Sequence, residues 1–326
     1  MSQQVLVTGA GGFIGSHLVE LLVRENYRVR AFVHYNSSNN WYNLEWLPKE
    51  ILDEVEVVAG DIVDPYSVDA AVKGCSAVFH LAALIGIPYS YVAPASYVSV
   101  NVTGTLNVLE ASRRHGVERV LHTSTSETYG TAQYVPIDEQ HPLVGQSPYS
   151  ATKIAADKLA LSYYLSFDTP VTVVRPFNTF GPRQSMRAII PTIIAQALTR
   201  DRLKLGSLDP VRDFTFVTDT ARGFLAASLS DRVIGETVNL GVGEACSVRE
   251  LVDMVGKLLG RELQVETDDR RIRPDNSEVL RLISNNTKAR ELMGWQPQVG
   301  LESGLEQTIQ FIRQNLEAFK SDLYVV

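Results

Sequence analysis

A doubly wound parallel α/β sheet with a smaller C-terminal α/β lobe is the fold class this sequence predicts, on three observations. Short continuous apolar runs recur, among them Val5-Leu6-Val7 and Val171-Thr172-Val173-Val174, as strands buried on both faces require. Amphipathic stretches alternate with these runs, the pattern of βαβ units. The first run empties into Thr8-Gly9-Ala10-Gly11-Gly12-Phe13-Ile14-Gly15 and then a helix, the strand–turn–helix context of a Rossmann-type dinucleotide site.

Bulk properties agree. At 326 residues and 45% hydrophobic content the chain can bury a large core, in two domains or one large α/β unit. A net charge of -7 speaks against a nucleic-acid partner, which would need a basic face. Cys75 and Cys246 lack metal-ligand or CxxC spacing, so they read as packing residues in a reducing compartment. No metal site is expected. No apolar run approaches the ~18 residues of a membrane span, and no basic, apolar leader opens the sequence. The expectation is a cytoplasmic protein away from membranes.

In chain order, Val5-Leu6-Val7 is the first strand. Gly9, Gly12 and Gly15 follow at three-residue spacing, departing from GxGxxG. Glycines there permit a tight turn and close approach of a pyrophosphate, while the helix N-terminus offers N–H groups. Phe13, Ile14, Leu18, Leu21 and Leu22 mark one helix face. Residues 29–33 form the second strand. Its end, Val33-His34-Tyr35-Asn36-Ser37, has neither an acid for an adenosine ribose nor a cation for a 2′-phosphate. These residues therefore leave NAD versus NADP open, with Arg30 lying within the strand. Residues 36–46 read as a polar, aromatic loop near the cofactor or the substrate mouth.

The third strand, 55–58, runs to Gly60-Asp61-Ile62. The fourth, 78–83, ends in Leu81-Ala82-Ala83, small enough for a flat ligand to approach. Residues 96–114 predict one long helix. By pattern alone, Asn101 inside it is an ordinary solvated residue. The fifth strand, 119–123, delivers Thr125, Ser126 and Glu127 to the carboxyl edge of the sheet, where such folds bind ligands. Pro148 sits at the start of a helix, and Tyr149 and Lys153, four apart, share its face. A hydroxyl, a carboxylate, a phenol and an amine thus converge, and this is the predicted active site.

After a sixth strand at 171–174 the turn-rich run 175–183 marks a domain transition. A helix at 189–198, a helix after Asp219, a strand at 238–241, an amphipathic helix at Val248–Leu259 and a final helix at Thr287–Met293 complete the chain. The expected cofactor domain is 1–175 with a returning segment at about 213–242. Residues 176–212 and 243–326 form the substrate lobe.

Taken together, these pieces resemble the extended short-chain dehydrogenase/reductase family, the NAD-dependent epimerase/dehydratases, over essentially the whole length. The residues that carry the resemblance are the glycine turn, Asp61, His80-Leu81-Ala82-Ala83, Asn101, Tyr149-x-x-x-Lys153, Arg175-Pro176-Phe177-Asn178-x-Phe180-Gly181-Pro182 and Arg212-Asp213-Phe214. Within the family, Thr125-Ser126-Glu127 looks like the nucleotide-sugar 4,6-dehydratases. Glucose-type dehydratases usually carry Thr-Asp-Glu there, and GDP-mannose 4,6-dehydratases carry Thr-Ser-Glu. Ala82-Ala83-Leu84-Ile85-Gly86-Ile87-Pro88 and the run 129–137 are most similar to the legionaminic-acid-type dehydratases of GDP- or UDP-linked N-acetylglucosamine.

The resemblance implies a tightly bound NAD or NADP, leaning to NAD, held by Gly9, Gly12, Phe13, Ile14, Gly15, Asp61, Ile62, Leu81, Ala82, Ala83, Asn101, Tyr149 and Lys153. It implies that Tyr149 is the base for the sugar C4 hydroxyl, Lys153 its electrostatic support, Thr125 the orienting hydroxyl and Glu127 the base at C5. Ser126 stands where glucose-type relatives have their acid. Arg212 and Arg273 match positions that meet the substrate diphosphate, with Asn178 and Arg183 as further substrate contacts. A homodimer through a four-helix bundle of 96–114 and 148–166 is implied as well. A 4-epimerase, a decarboxylase or a reductase on the same scaffold is the rival. A redox-inert NAD(P) sensor is a remote one, since sensors lose the Tyr/Lys pair.

Overall fold

The computed structural model describes residues 3–272 and 274–319. Six strands come first: β1 (Gln4–Thr8), β2 (Arg28–His34), β3 (Val55–Gly60), β4 (Ala77–His80), β5 (Arg119–Thr123) and β6 (Val171–Pro176). The chain then leaves the sheet for β7 (Asn178–Phe180), β8 (Arg202–Leu205), β9 (Val211–Arg212) and β10 (Phe214–Phe216). It returns as β11 (Thr237–Leu240) and leaves again for β12 (Cys246–Ser247), β13 (Gln264–Thr267) and β14 (Arg281–Leu282). The seven-stranded sheet has the order β11-β6-β5-β4-β1-β2-β3 and is parallel throughout. Chain direction across the sheet reverses between β1 and β4, the switch point where such sheets open a ligand crevice.

The helices are α1 (Phe13–Arg24), α2 (Lys49–Leu52), α3 (Pro65–Val72), α4 (Ile87–Val92), α5 (Pro94–Tyr97), α6 (Gly104–His115), α7 (Pro148–Phe167), α8 (Ile189–Thr199), α9 (Val217–Leu229), α10 (Val248–Leu259), α11 (Thr287–Met293) and α12 (Leu301–Gln314). Strand side chains alternate between faces, and both faces are covered. Val5 and Val7 pack with Leu18, Leu22 and Phe224 under α1 and α9. Leu6, Val78 and Val120 pack with Val68, Val108 and Ala160 under α3, α6 and α7. This double burial is why the strands read as unbroken apolar runs.

A third core, with Ile190, Ile193, Leu203, Phe214, Leu251 and Ile309, builds the smaller lobe. Two expectations need correction. Thr287–Met293, expected to close that lobe, packs on β11 and α9, with Ala289 and Trp295 in the core of the larger sheet. Strand β11 is an edge strand of that sheet, and α11 covers apolar surface there. The expected long helix at 96–114 is instead α5, a π-helical turn at Val98–Thr103, and α6. Among the described residues no helix is long and apolar enough to cross a membrane.

Candidate active site

The glycine turn is shaped by close approach. Gly9 has φ +68°, and a Cβ on it would stand 2.7 Å from Ala82 N. A Cβ on Gly15 would stand 2.2 Å from Gly9 O. Helix α1 therefore starts against the turn, and its N-cap, Gly12, supplies no capping side chain. First-turn N–H groups are left for another acceptor, as a phosphate site requires. The backbone N–H groups of Leu81 and Ala82 both donate to Thr8 Oγ1 at 3.2 Å, which draws the β4 exit loop to the tip of β1. Phe13 opens α1, and Ile14 packs on the core beneath it. At the end of β3, Asp61 Oδ1 accepts from Val63 N at 2.9 Å, and Ile62 is buried against Gly104.

Asn101 is buried and far from the solvated residue its pattern suggests. The π turn swings it inward, where Oδ1 accepts from Leu84 N at 2.8 Å. Its Nδ2 donates to Leu84 O at 3.0 Å and Thr152 Oγ1 at 3.1 Å. Thr152 Oγ1 in turn donates to Tyr149 O at 2.7 Å. Asn101 thus ties the loop beyond Ala83 to α7. A π turn in this place is the local irregularity that often marks a functional site.

Helix α7 begins with a capping box between Ser147 and Ser150, with Pro148 in its first turn. Two orphan N–H groups are satisfied reciprocally, which fixes the first turn and Tyr149 on it. Strand β5 runs out into Thr125, the N-cap of a 3-10 turn at Ser126–Tyr129, and Thr125 Oγ1 accepts from Glu127 N at 3.3 Å. Ser126 is buried and Glu127 partly exposed. Burial pushes the Tyr149 phenol well above its usual value. The Thr125 hydroxyl acts the other way, and the charge of Glu127 raises it further. Thr125 is thus within hydrogen-bonding reach of the phenol, and Glu127, in the turn that Thr125 caps, is near enough for its charge to be felt, so the three form one cluster. Tyr97 seals it, its ring 6.3 Å from that of Tyr149 in an edge contact. Lys153, also buried, donates to Thr123 O at 2.6 Å. Desolvation draws its ammonium down to about 8, with Asp157 opposing.

The substrate-side residues are dispersed. Asn178 lies on β7 with its Oδ1 buried and without a partner among the described residues. Arg212 lies on β9, where Nη2 reaches Glu278 at 3.3 Å. Glu278 follows Ser277, whose Oγ donates to Gln146 O at 2.9 Å, one residue before the cap of α7. Arg212 is thereby linked to the active-site rim. Arg183 turns to α1, pairing with Glu20 at 2.7 Å, while its carbonyl accepts from Asn43 at 3.1 Å. Arg273 lies outside the described residues. Arg30 pairs with Glu56 and with carbonyls at the end of α3, away from the carboxyl edge. Among the described residues no three His, Cys, Asp or Glu side chains are grouped as metal ligands.

A family model described as GDP-mannose 4,6 dehydratase matches residues 6–308. The chain belongs to the extended short-chain dehydrogenase/reductase family. Over 321 residues it is 35% identical to the UDP-glucose 4-epimerase of Mycolicibacterium smegmatis, covering 95% of this chain and 98% of that one. It is 32% identical to the dTDP-glucose 4,6-dehydratase of Streptomyces niveus, covering 96% and 93%. The dTDP-glucose 4,6-dehydratase of Streptomyces venezuelae, solved with NAD bound, superposes with a TM-score of 0.88 at 28% identity, covering 98% of this chain and 99% of that one. The family holds nucleotide-sugar epimerases, decarboxylases and dehydratases on one NAD-dependent scaffold.

Proposed function

We propose that this chain is a 4,6-dehydratase of a nucleoside-diphosphate hexose, GDP- or UDP-N-acetylglucosamine, yielding the 4-keto-6-deoxy sugar. The observation that supports this reading is Glu127, one 3-10 turn from Thr125 and close enough for its charge to act on Tyr149. The C5 proton of a hexose is not acidic until C4 is a ketone. Elimination across C5 and C6 therefore needs a base beyond the one that serves C4. NAD, for which the glycine turn and the open α1 N-terminus fit, supplies hydride uptake from C4 and its return to C6.

Tyr149 takes the proton of the C4 hydroxyl, which Thr125 orients. Lys153 favours the phenolate by charge, offsetting what burial does to the phenol. Glu127 removes the C5 proton. Ser126 is too weak an acid to act unaided, so the proton Glu127 has taken is the one returned to the C6 oxygen, directly or through Ser126. The carbon–oxygen bond at C6 then breaks and water leaves. As C6 is reduced, C5 takes up a proton, which balances the one Tyr149 drew from the C4 hydroxyl. Arg212 and Asn178 are assigned to the diphosphate, a role that suits a guanidinium. Self-association through α6 and α7 belongs to this reading. Leu106 and Leu165 are exposed on those helices, and light scattering that gives a monomer would remove it.

The second reading is a 4-epimerase, favoured by the 35% identity to a protein of that name. Epimerisation needs no C5 base. Incubation with GDP-, UDP-, CDP- and dTDP-hexoses and N-acetylhexosamines, read by mass spectrometry, is expected to show loss of one water. Glu127→Gln should abolish that loss while C4 oxidation stays measurable at the bound cofactor. Full-rate product from Glu127→Gln would sink the dehydratase reading.

A further inference from the structure

Tyr149, Lys153 and Asp157 recur every fourth residue on α7. One helix face therefore carries a phenol, an ammonium and a carboxylate. The first two have roles in the reaction proposed above, and the third has none. Yet Asp157 is 1% exposed and fully engaged. Its Oδ1 accepts from His122 Nε2 at 3.0 Å, and its Oδ2 accepts from Ser124 Oγ at 2.5 Å and Arg175 Nη2 at 2.8 Å. A buried carboxylate is costly without such partners. The donors of His122 and Arg175 hold its pKa well below the usual carboxylate range, against the effect of burial.

His122 lies on β5, Ser124 just beyond its end and Arg175 on β6, and β5 has two further tasks. Thr123 O, on the same strand, accepts from Lys153 Nζ, and the strand continues into Thr125, Ser126 and Glu127. Asp157 therefore joins the helix bearing Tyr149 to the strand bearing the rest of the cluster. His122 is kept neutral by burial and by the charge of Lys153. A neutral imidazole that donates from Nε2 has a bare Nδ1, and His122 Nδ1 has no partner among the described residues.

The surroundings of Lys153 make this joint electrostatic as well as mechanical. Its ammonium is buried with one carbonyl acceptor. His80 on β4 and His122 on β5, both neutral by burial, sense its charge. Arg175 on β6 adds positive charge, and Tyr149 lies one turn back on α7. Glu139, His141 and Lys158 line a cavity that reaches Asp157 from the other side. Of these groups, Asp157 is the carboxylate whose charge acts on Lys153.

We propose that Asp157 is a positioning residue for catalysis. It pins α7 to β5 and β6, setting Tyr149 against Thr125, and it supplies the negative charge that keeps the buried Lys153 ammonium protonated. The proposal rests on Lys153 acting as assigned above, but its test needs no sugar nucleotide, so the two can fail separately.

The test follows Lys153 Nζ by 15N NMR in lysine-labelled holoprotein across pH, with Lys153→Met to assign the signal. Asp157→Asn keeps the shape of the side chain and removes the charge. It is expected to lower the Lys153 midpoint by about one unit or more, in the range a neighbouring charge commands. Asp157→Ser removes the same charge and leaves room for water from the adjoining cavity, so it should shift the midpoint the same way if the asparagine variant folds poorly. The alkaline limb of the pH–rate profile should move down in step. An unchanged midpoint in either folded variant overturns the proposal, as does a fall in rate at every pH with no movement of the limb.

Discussion

The carboxyl edge of the large sheet and the smaller lobe both bury cations, and they partner them differently. At the sheet edge, Lys153 is held by a backbone carbonyl, and Arg175 by Asp157 and Ser124, all fully buried. No ligand has to displace these partners. At the lobe, Arg212 meets Glu278 and Arg183 meets Glu20, pairs whose carboxylate side chains are each 20% exposed. A diphosphate approaching Arg212 has to compete with a carboxylate already there. On the proposed reading the sheet edge is preorganised for chemistry, whereas the lobe exchanges an internal anion for a bound one. Removing a group from the first should therefore change kcat, and removing one from the second should change KM.

The largest expected effect tests the first half of that contrast. Tyr149→Phe keeps the ring packed against Tyr97 and removes the acid–base group. General acid–base catalysis contributes roughly 10²–10⁴-fold, so kcat should fall by about 10³ while KM stays within a few-fold of the parent and NAD binding is retained. Steady-state kinetics and a cofactor titration check this. A loss confined to KM would mean that Tyr149 binds substrate and does no chemistry.

The next effect tests the lobe. Arg212→Ala should raise the KM for the nucleotide sugar by about 10–100-fold, the scale of a hydrogen bond to a charged group at ~1.5–3 kcal/mol. Its kcat should change far less. The parent KM should also rise with salt, because a partly exposed ion pair and a phosphate are both screened. An equal fall in kcat would show that Arg212 acts in the transition state, and the contrast between the two regions would fail.

How legible each region was in the sequence follows from the same physics. Strand periodicity, the glycine turn and the Tyr/Lys pair are short-range patterns, and the sheet and the cluster at its edge follow from them. The burial of Asn101 was not legible from helical pattern, because a π turn alters which side of a helix a residue faces without changing the residue types around it. Only the family resemblance singled Asn101 out. Asp157 left a signal in its spacing of four from Lys153. What makes it matter, however, are His122 on β5, Ser124 just beyond it and Arg175 on β6, all distant from Asp157 in sequence. Arg183 shows a different gap. Its motif points to substrate, and the sequence gives no sign of the contact with α1 that pairs it with Glu20 and ties its carbonyl to Asn43. The placement of α11 depended on an edge strand that pairs only after a long excursion through the lobe.

The smallest effect asks what preorganisation costs. Burial puts the folded-state value of Lys153 at about 8, below the ~10.4 of the free side chain. Between these values the unfolded chain binds the proton more tightly than the folded one, so stability rises with pH across that window. Below about 8 the full cost of the buried charge is present. Lys153→Met removes the charge and keeps most of the apolar stem. At pH 7 it should gain on the order of 2 kcal/mol, after allowing for the acceptor left bare at Thr123 O, a rise of roughly 2–5 °C in Tm. Near pH 10 the gain should shrink towards nothing, because the parent amine is then neutral. Calorimetry at both pH values decides this, and equal Tm values for parent and variant at pH 7 would show that Asp157 and Thr123 compensate the ammonium in full. A more stable but inactive variant would locate the instability of the parent in the residue its chemistry requires.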